Sequence, residues 1–175
     1  VYLKIICNGK MKIYQWPHET LSQKATQTNI TDFTLDLPDD DIDRFQHDVI
    51  KTMIEGKGIG LAANQLGYLA RFFCIGHSYF SHFRQPTVIW NPKIIKVSPE
   101  QRVDEEGCLS FKGWLVKVKR PRIVEVEYET VKGGKQRVVL DGYESKCFQH
   151  EYDHLEGITF NKLSKTRWAM KKRIK

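Results

Sequence analysis

The stretch His150-Glu151-Tyr152-Asp153-His154 organises this chain, because it places two imidazoles four residues apart with a carboxylate between them. Residues i and i+4 of an α-helix lie on one face, so both rings can contact the same metal ion. Five-residue matches of this kind also occur by chance, and an ordinary helix with solvated or buried histidines is the alternative. The stretch predicts a helix with a metal site. The surrounding sequence is needed to distinguish this interpretation from an ordinary helix.

Local signals on both sides of this stretch favour the helix. Asp141 and Glu144 have the spacing of a reciprocal N-terminal cap, with aspartate in place of serine or threonine. Tyr143 and Cys147 continue the stripe of the two histidines at helical spacing, and Gly157 stands where a C-terminal cap belongs. We therefore predict a helix that begins after Asp141 and ends before Gly157.

A catalytic site of the zinc type needs three protein ligands and one open position, so a third ligand is required. No histidine follows His154, and Glu156 is too close in sequence to resemble the usual downstream ligand. Cys108 stands in an unusual context, Glu105-Glu106-Gly107-Cys108-Leu109-Ser110, and its thiolate would be a strong ligand. We therefore predict Cys108, His150 and His154 as the metal ligands. Glu151 is then the general base toward metal-bound water, which is the chemistry of a metal-dependent hydrolase.

Three short blocks make the chain resemble the peptide deformylase family. In order along the chain they are Gly58-Ile59-Gly60-Leu61-Ala62-Ala63-Asn64-Gln65, Glu106-Gly107-Cys108-Leu109-Ser110 and Gln149-His150-Glu151-Tyr152-Asp153-His154-Leu155. The resemblance extends over about residues 39–163, and three blocks in this order are highly specific. Asn64 and Lys112 stand where many members have proline, which bears on the rigidity of the substrate loops more than on the chemistry.

The resemblance implies a reaction, a metal and further site residues. The reaction would remove the formyl group from N-formylmethionine at the start of a peptide and release formate. The side-chain amide of Gln65 and the backbone N–H of Leu109 would stabilise the oxyanion. Ile59, Gly60 and Gly107 would bind the extended substrate as an added strand. The native metal would be Fe²⁺, and Zn²⁺, Ni²⁺ and Co²⁺ are possible substitutes.

Other polar residues near the predicted ligands are candidates for orienting them. Gln149 and Asp153 flank the two histidines, and either side chain could accept an imidazole N–H. Pairing of Asp153 or Glu106 with Arg120 is a further hypothesis, and simple solvation of these charges is its alternative.

Three other functions remain open at this point. Gly58-Ile59-Gly60 lacks the third glycine and the lysine of nucleotide-binding loops, which disfavours phosphate binding. A zinc peptidase of the His-Glu-x-x-His type would not explain the block around Cys108. A basic RNA-binding module with a structural metal would need a fourth ligand and would leave Glu151 and Gln65 without roles. Formate release from a formyl-peptide distinguishes a deformylase from all three.

The remaining patterning predicts an α+β fold, with antiparallel or mixed sheets packed around the central metal-binding helix. Residues 39–55 read as an amphipathic helix with an acidic start. Residues 72–76 and 87–90 read as strands, and Asn91-Pro92 reads as a turn after the second one. Alternating apolar residues over 124–140, interrupted by Gly133-Gly134, predict a hairpin. Strands and helices do not alternate as βαβ units.

Length and composition fit a compact enzyme. The 175 residues, 41% of them hydrophobic, suit one catalytic domain over 1–175, in which residues 1–10 before Met11 read as an extension or a cloning remnant. No apolar run approaches the roughly 18 residues of a membrane span. The four cysteines are widely spaced, which argues against a disulfide framework. We expect the cytoplasm of a bacterium, or of a host cell for a viral protein, and an organelle is also compatible.

The C-terminal segment 162–175 is strongly basic. It holds seven lysines and arginines and no acid, which equals the whole net charge of +7. Such a helix or tail could contact RNA phosphates, and by resemblance it could dock on the ribosome near the nascent-chain exit. A solubilising end without a specific partner is the alternative. Besides N-formylmethionyl peptides, the ribosome is therefore the predicted partner.

Overall fold

The structure, a computed structural model, describes residues 6–7, 10–37 and 39–163. Predictions about an extension over 1–10 and a basic segment over 162–175 fall almost entirely outside the described residues. Two short 3₁₀ helices span Glu19–Ser22 and Ala63–Leu66. The other elements, in chain order, are β1 (Ile6–Cys7), β2 (Lys10–Met11), α1 (Ile30–Leu35), α2 (Ile42–Glu55), β3 (Gly60–Ala62), β4 (Phe72–Ile75), β5 (Thr87–Val97), β6 (Gln101–Glu106), β7 (Val116–Pro121), β8 (Ile123–Thr130), β9 (Gly134–Asp141), α3 (Gly142–Leu155) and α4 (Phe160–Leu163).

The sheets of the described residues confirm the predicted α+β class. A five-stranded sheet has the order β3-β4-β5-β8-β9, and β1-β2 and β6-β7 form two-stranded sheets. All of these strand pairs are antiparallel, whereas an isolated bridge between Thr26 and Ala70 is parallel. Helix α3 packs against β3, β4 and β9 and carries the predicted metal-binding face. Within the part of the chain that is described, no helix has the length and apolar character required to cross a membrane.

The predicted metal-binding helix forms, but its N-terminal cap differs from the prediction. Helix α3 begins at Gly142, and the side chain of Asp141 makes no capping hydrogen bond. Asp141 instead accepts from Arg122 Nε at 2.9 Å, and Glu144 accepts from the backbone N–H groups of His82 and Phe83. At the other end Gly157 has a left-handed φ of 69°, as the C-terminal cap requires. Tertiary partners therefore recruit both carboxylates that the local pattern assigned to the cap.

Helix α2 confirms the amphipathic helix predicted for residues 39–55. It begins at Ile42, because the side chain of Asp41 accepts a hydrogen bond from the backbone N–H of Arg44 at 2.9 Å and caps the first turn. The predicted apolar face lies in the core, where Phe45, Val49 and Met53 are buried. The helix ends at Glu55 and leads directly into the glycine-rich segment.

The turn predicted at Asn91-Pro92 is wrong. Strand β5 continues through both residues to Val97, with a register shift between Trp90 and Lys93 that marks a bulge. Asn91 adopts a left-handed φ of 49°, and its side-chain amide bonds both backbone groups of Thr28. The turn-forming residues thus produce a bulge in β5, because β4 and β8 pair with β5 on either side.

The predicted hairpin forms between β8 and β9, with Gly134 at the turn in a left-handed conformation, φ 61°. Its inward-facing residues, Val124, Val126, Tyr128 and Leu140, are buried as the alternation requires. A second hairpin, β6-β7, was not predicted, because β6 has a single apolar residue, Val103, although Val116 and Val118 alternate with lysines in β7. This second hairpin is the element that delivers Glu106 and Arg120 to α3.

Candidate metal-dependent active site

Three predicted ligands converge on one point between α3 and the loop that follows β6. Ligand atoms of Cys108, His150 and His154 all lie within 4.8 Å of one another, and within the described residues they form the group able to hold a metal ion. The distance from Cys108 Sγ to His154 Nε2 is 3.2 Å. The helix supplies both imidazoles from successive turns, as the spacing of four residues predicts. The sulfur ligand comes from a separate segment, because Cys108 lies 42 residues before His150 in the sequence.

The residues present fit a bound divalent metal. One thiol and two imidazoles are a donor set suited to zinc or iron, and three such ligands leave a position open toward the cleft. His150 already bonds Glu106 Oε2 through Nδ1 at 2.8 Å, which leaves Nε2 free for coordination. In addition, Glu151 Oε2 is buried without a hydrogen-bond partner among the described residues. A buried carboxylate oxygen of this kind needs a polar partner that the described residues do not supply.

The orientation of His150 depends on Glu106, a role that the sequence analysis did not assign. Glu106 also forms a paired contact with Arg120 Nε and Nη2, and Arg120 Nη1 donates to Asp153 Oδ2 at 2.7 Å. Burial alone would raise the pKa of Glu106, but the hydrogen bonds from His150 and Arg120 prevail and hold it at about 2. Glu106 is therefore ionised, and it fixes the imidazole ring and its tautomer.

The two residues considered as orienters of an imidazole have other partners. Gln149 Nε2 donates to the backbone oxygen of Pro121 at 2.9 Å and to Ser145 Oγ at 3.0 Å. Asp153 and Glu106 both pair with Arg120, so both forms of the pairing hypothesis are confirmed. The chain offered a signal for Glu106: it lies two residues before Cys108, and alternate residues of an extended segment face the same side.

Glu151 lies between the two histidines and faces the segment that leads into β3. It is only 4% exposed, and burial raises the pKa of its carboxyl group to about 7. A Cβ atom added to Gly60 would collide with Glu151 Oε1 and would displace the carboxylate. The glycine at position 60 is thus explained by the close approach of the backbone to the predicted base.

Gln65 is held with its amide N–H groups toward the predicted metal position. Its Nε2 lies 3.4 Å from Cys108 Sγ and donates to Ser110 Oγ at 3.0 Å, while its Oε1 accepts from the backbone N–H of Ala62 at 2.8 Å. Ser110 is buried and was not among the predicted site residues. It lies in the turn that the N–H of Phe111 closes on the oxygen of Cys108, so the alternation of an extended segment does not indicate it.

The predicted substrate residues line a cleft of about 1010 Å³ that ends at the metal position. Strand β3 is an edge strand, so its outer side can accept an extended peptide next to Ile59 and Gly60. Leu109 lies on the opposite wall, and its N–H has no hydrogen-bond partner within the described residues. Gly107 lies nearby, where an added Cβ would meet no atom closer than 3.6 Å. The chain itself therefore leaves open space at Gly107.

Asn64 has a structural explanation. It is completely buried, and its Nδ2 donates to the backbone oxygens of His154 at 2.5 Å and of Gln23 at 2.8 Å. These bonds tie the segment that carries Gln65 to the last turn of α3. The side-chain hydrogen bonds of Asn64 thus hold this loop in place, where many family members have a proline.

Comparisons with known proteins identify the family. The family model "Polypeptide deformylase" matches residues 10–168. Peptide deformylase of Rhizobium meliloti is 41% identical over 122 residues, which are 70% of this chain and 70% of that protein. The crystal structure of peptide deformylase from Thermotoga maritima has a TM-score of 0.79 at 30% identity and covers 90% of this chain and 99% of that one.

A second solved structure agrees with the first. Peptide deformylase from Synechococcus elongatus, in complex with actinonin, has a TM-score of 0.79 at 32% identity and covers 95% of this chain and 85% of that one. The chain therefore belongs to the peptide deformylase family, the metal-dependent hydrolases that remove the formyl group from N-formylmethionine at the start of peptides.

Proposed function

We propose that this chain deformylates nascent peptides at a metal held by Cys108, His150 and His154. The observation that carries the proposal is the convergence of these three ligand atoms within 4.8 Å, beside a buried carboxylate and at the end of an open cleft. When bound, the divalent metal supplies Lewis-acid chemistry, which makes hydroxide available near neutral pH. Every other part of the reaction falls to side chains and backbone groups of the chain.

Glu151 acts as the general base and then as the general acid. It takes the proton of the attacking water and later passes it to the leaving amine of methionine. Support comes from its burial and from the free oxygen Oε2, which faces no other donor among the described residues. A pKa raised to about 7 suits a group that must both accept and release a proton near neutral pH.

Gln65 and Leu109 stabilise the oxyanion of the tetrahedral intermediate. The Gln65 amide is already oriented by Ser110 and Ala62, so it loses little freedom when the oxyanion forms. The N–H of Leu109, which has no partner in the described part of the chain, is adjacent in sequence to Cys108 and lines the same cleft. Loss of one such donor reduces kcat by about 10²–10³-fold in comparable hydrolases.

The substrate backbone binds along the outer side of β3, with Ile59 and Gly60 on one wall and Gly107 on the other. A small pocket of about 80 Å³ opens next to the ligands, between Ile59, Tyr143 and Cys147. Its partly apolar wall fits the methionine side chain. The strand-like contacts give affinity, and the pocket gives selectivity for methionine.

The finer assignments rest on chemistry rather than on contacts. We take Fe²⁺ as the native metal, with Zn²⁺, Ni²⁺ and Co²⁺ as substitutes that the same ligands accept. A thiolate ligand favours a reducing compartment, hence the cytoplasm. Residues 162–175 form the basic end of a single domain over 1–175 and contact ribosomal RNA phosphates. Of that segment, only Lys162 and Leu163 in the terminal part of α4 are described.

The RNA-binding alternative with a structural metal requires a closed set of four ligands. Within the described residues the group has three, and it opens into the cleft. A peptidase of the His-Glu-x-x-His type leaves the ligand Cys108 unexplained.

Formate release from a formyl-Met-Ala-Ser peptide tests the proposed function. Protein purified without oxygen and loaded with Fe²⁺ or Ni²⁺ is compared with Glu151→Gln, which we expect to lose about 10²–10⁴-fold in kcat, the usual share of general acid–base catalysis. Glu19→Gln is the matched control, because Glu19 is exposed and does not line the cleft. Absence of turnover from fully metal-loaded protein would contradict the proposal.

A further inference from the structure

The outer end of the substrate cleft carries a positive charge that the deformylation chemistry does not use. Its lining includes Lys12, Lys57 and Lys112, whereas Glu55 is the acidic residue of the same rim within the described part of the chain. All three lysines are exposed. The ammonium group of Lys12 lies over the ring of Tyr14, 4.8 Å from its centroid, which leaves Lys57 and Lys112 to be explained.

Lys57 is held at a backbone position that favours glycine. It follows the end of α2, has a left-handed φ of 59°, and donates its N–H to the oxygen of Ile54 at 2.8 Å. Glycine is the usual residue in this conformation just after a helix, because a Cβ is disfavoured there. Within the described residues the ammonium group of Lys57 has no ion-pair partner, so no contact inside the fold accounts for a lysine at this site.

Lys112 approaches the same end of the cleft from the opposite wall. It lies in the tight turn after Cys108 and Leu109, where the N–H of Phe111 donates to the oxygen of Cys108 at 3.0 Å. The ring of Phe111 is buried and stacks on Trp16 at 5.4 Å, which fixes the turn. The side chain of Lys112 is exposed and, like that of Lys57, has no ion-pair partner in the described structure.

The two walls of the cleft that carry Lys57 and Lys112 contact each other through Leu109. A Cβ added to Gly58 would lie 2.6 Å from Leu109 Cδ1, and one added to Gly56 would lie 3.3 Å from the same atom. Lys57 therefore lies between two residues that approach Leu109, and Lys112 follows Leu109 by three positions. Gly60, three residues from Lys57, touches the predicted base, so the backbone of Lys57 lies at most about 10 Å from that of Gly60. An extended peptide covers a length of about 10 Å with its first three residues.

We propose that Lys57 and Lys112 determine specificity by binding a carboxylate about two residues beyond the formyl-methionine. The proposal rests on the proposed function, because it takes the metal end of the cleft as the position of the formyl group. The carboxylate has two sources, an acidic side chain in a nascent peptide or the free C-terminus of a short one. The ion pairs form in solvent, so they act mainly on substrate binding and are weakened by salt.

The test compares two amidated peptides, formyl-Met-Ala-Asp and formyl-Met-Ala-Asn, on the metal-loaded enzyme. We expect kcat/KM to be about 3–10-fold higher for the aspartate peptide, as two exposed ion pairs allow, with the difference in KM. The preference is expected to decrease as ionic strength rises. Formyl-Met-Ala-Asn with a free C-terminus, measured in parallel, distinguishes the C-terminal carboxylate from the side chain.

The double variant Lys57→Asn with Lys112→Gln removes both charges, and asparagine tolerates the left-handed conformation at position 57. We expect the ratio between the two amidated peptides to fall to about one. Lys135→Gln is the matched control, because it removes one charge from strand β9 outside the cleft. In this variant the ratio between the two amidated peptides is expected to equal that of the unaltered enzyme. Equal kcat/KM values for all three peptides in the unaltered enzyme, or a preference that survives in the double variant, would overturn the inference. Absence of formate from both peptides would instead contradict the proposed function.

Discussion

Arg120 and Arg122 are two residues apart, and each bridges two carboxylates, yet they belong to different environments. Arg120 pairs with Glu106 and Asp153, and its side chain is 8% exposed. Arg122 pairs with Glu100 and Asp141, and its side chain is 42% exposed. The charge pattern of the sequence is nearly the same for both. Burial alone makes the first arginine a support of Glu106, the partner of the predicted ligand His150, and the second a surface residue.

The physical difference lies in what remains when a partner is lost. Removing Arg120 would leave the carboxylate of Glu106 buried with one partner fewer, and an uncompensated buried charge is costly. Around Arg122, water and salt replace a lost partner, so exposed pairs of this kind contribute little to stability. The comparison teaches that an arginine between two acids says nothing about stability until its burial is known.

The largest effect is expected from Arg120→Met, which keeps much of the side-chain volume and removes the charge. We expect the free energy of unfolding to fall by about 3–5 kcal/mol, since Glu106 and Asp153 lose their common partner. Urea denaturation at a fixed metal concentration measures the change, because bound metal itself stabilises the folded state. A loss no larger than that caused by Arg122→Met would break the comparison.

The next effect concerns metal binding and Glu106. Glu106→Gln keeps an acceptor for His150 Nδ1 but removes the negative charge that holds the imidazole. We expect the metal affinity to fall by about 10–100-fold, as for other residues that support a metal ligand. Competition with a chelator measures it, and Glu100→Gln repeats the same change in the exposed cluster. Equal affinities of the two variants would show that burial of the acid is irrelevant to the metal.

A smaller effect is expected at the more open end of the buried cluster. The side chain of Asp153 is 20% exposed, compared with 3% for Glu106. Asp153→Asn retains an acceptor for Arg120 Nη1, so we expect a loss of about 1 kcal/mol, the usual value of one hydrogen bond. Thermal or urea denaturation beside Asp141→Asn sharpens the comparison. A decrease in the free energy of unfolding as large as that of Arg120→Met would mean that partial exposure of Asp153 does not reduce the cost of losing its charge.

Arg122→Met should have the smallest effect of the four. Its pairs with Glu100 and Asp141 lie in solvent and are screened by salt. We expect unchanged kcat/KM for a formyl-Met peptide and unchanged metal affinity, with a smaller shift in the urea midpoint than for any of the buried variants. A loss of activity would show that the exposed cluster positions β9 and, through it, the start of α3.

Sequence patterns succeeded where a local period or a motif carries the information. The spacing of His150 and His154, the apolar face of α2 and the alternation in β8 and β9 all appear in the structure as predicted. They failed where local and tertiary partners compete for one group. The capping pattern at Asp141 and the turn at Asn91-Pro92 are legitimate local signals, but Arg122 and Thr28 supply better partners.

The sequence by itself determined the family, the helix that carries His150 and His154, and the identity of the residues that meet at its face. Its motifs are short, and each requires only neighbouring residues or a fixed order along the chain. Only the tertiary structure decided that Glu106 orients His150, that Ser110 holds the Gln65 amide, and that Asn64 ties the glycine-rich segment to α3. The reason is physical: a polar side chain binds whichever partner lies closest after folding, and burial then determines how much that bond matters.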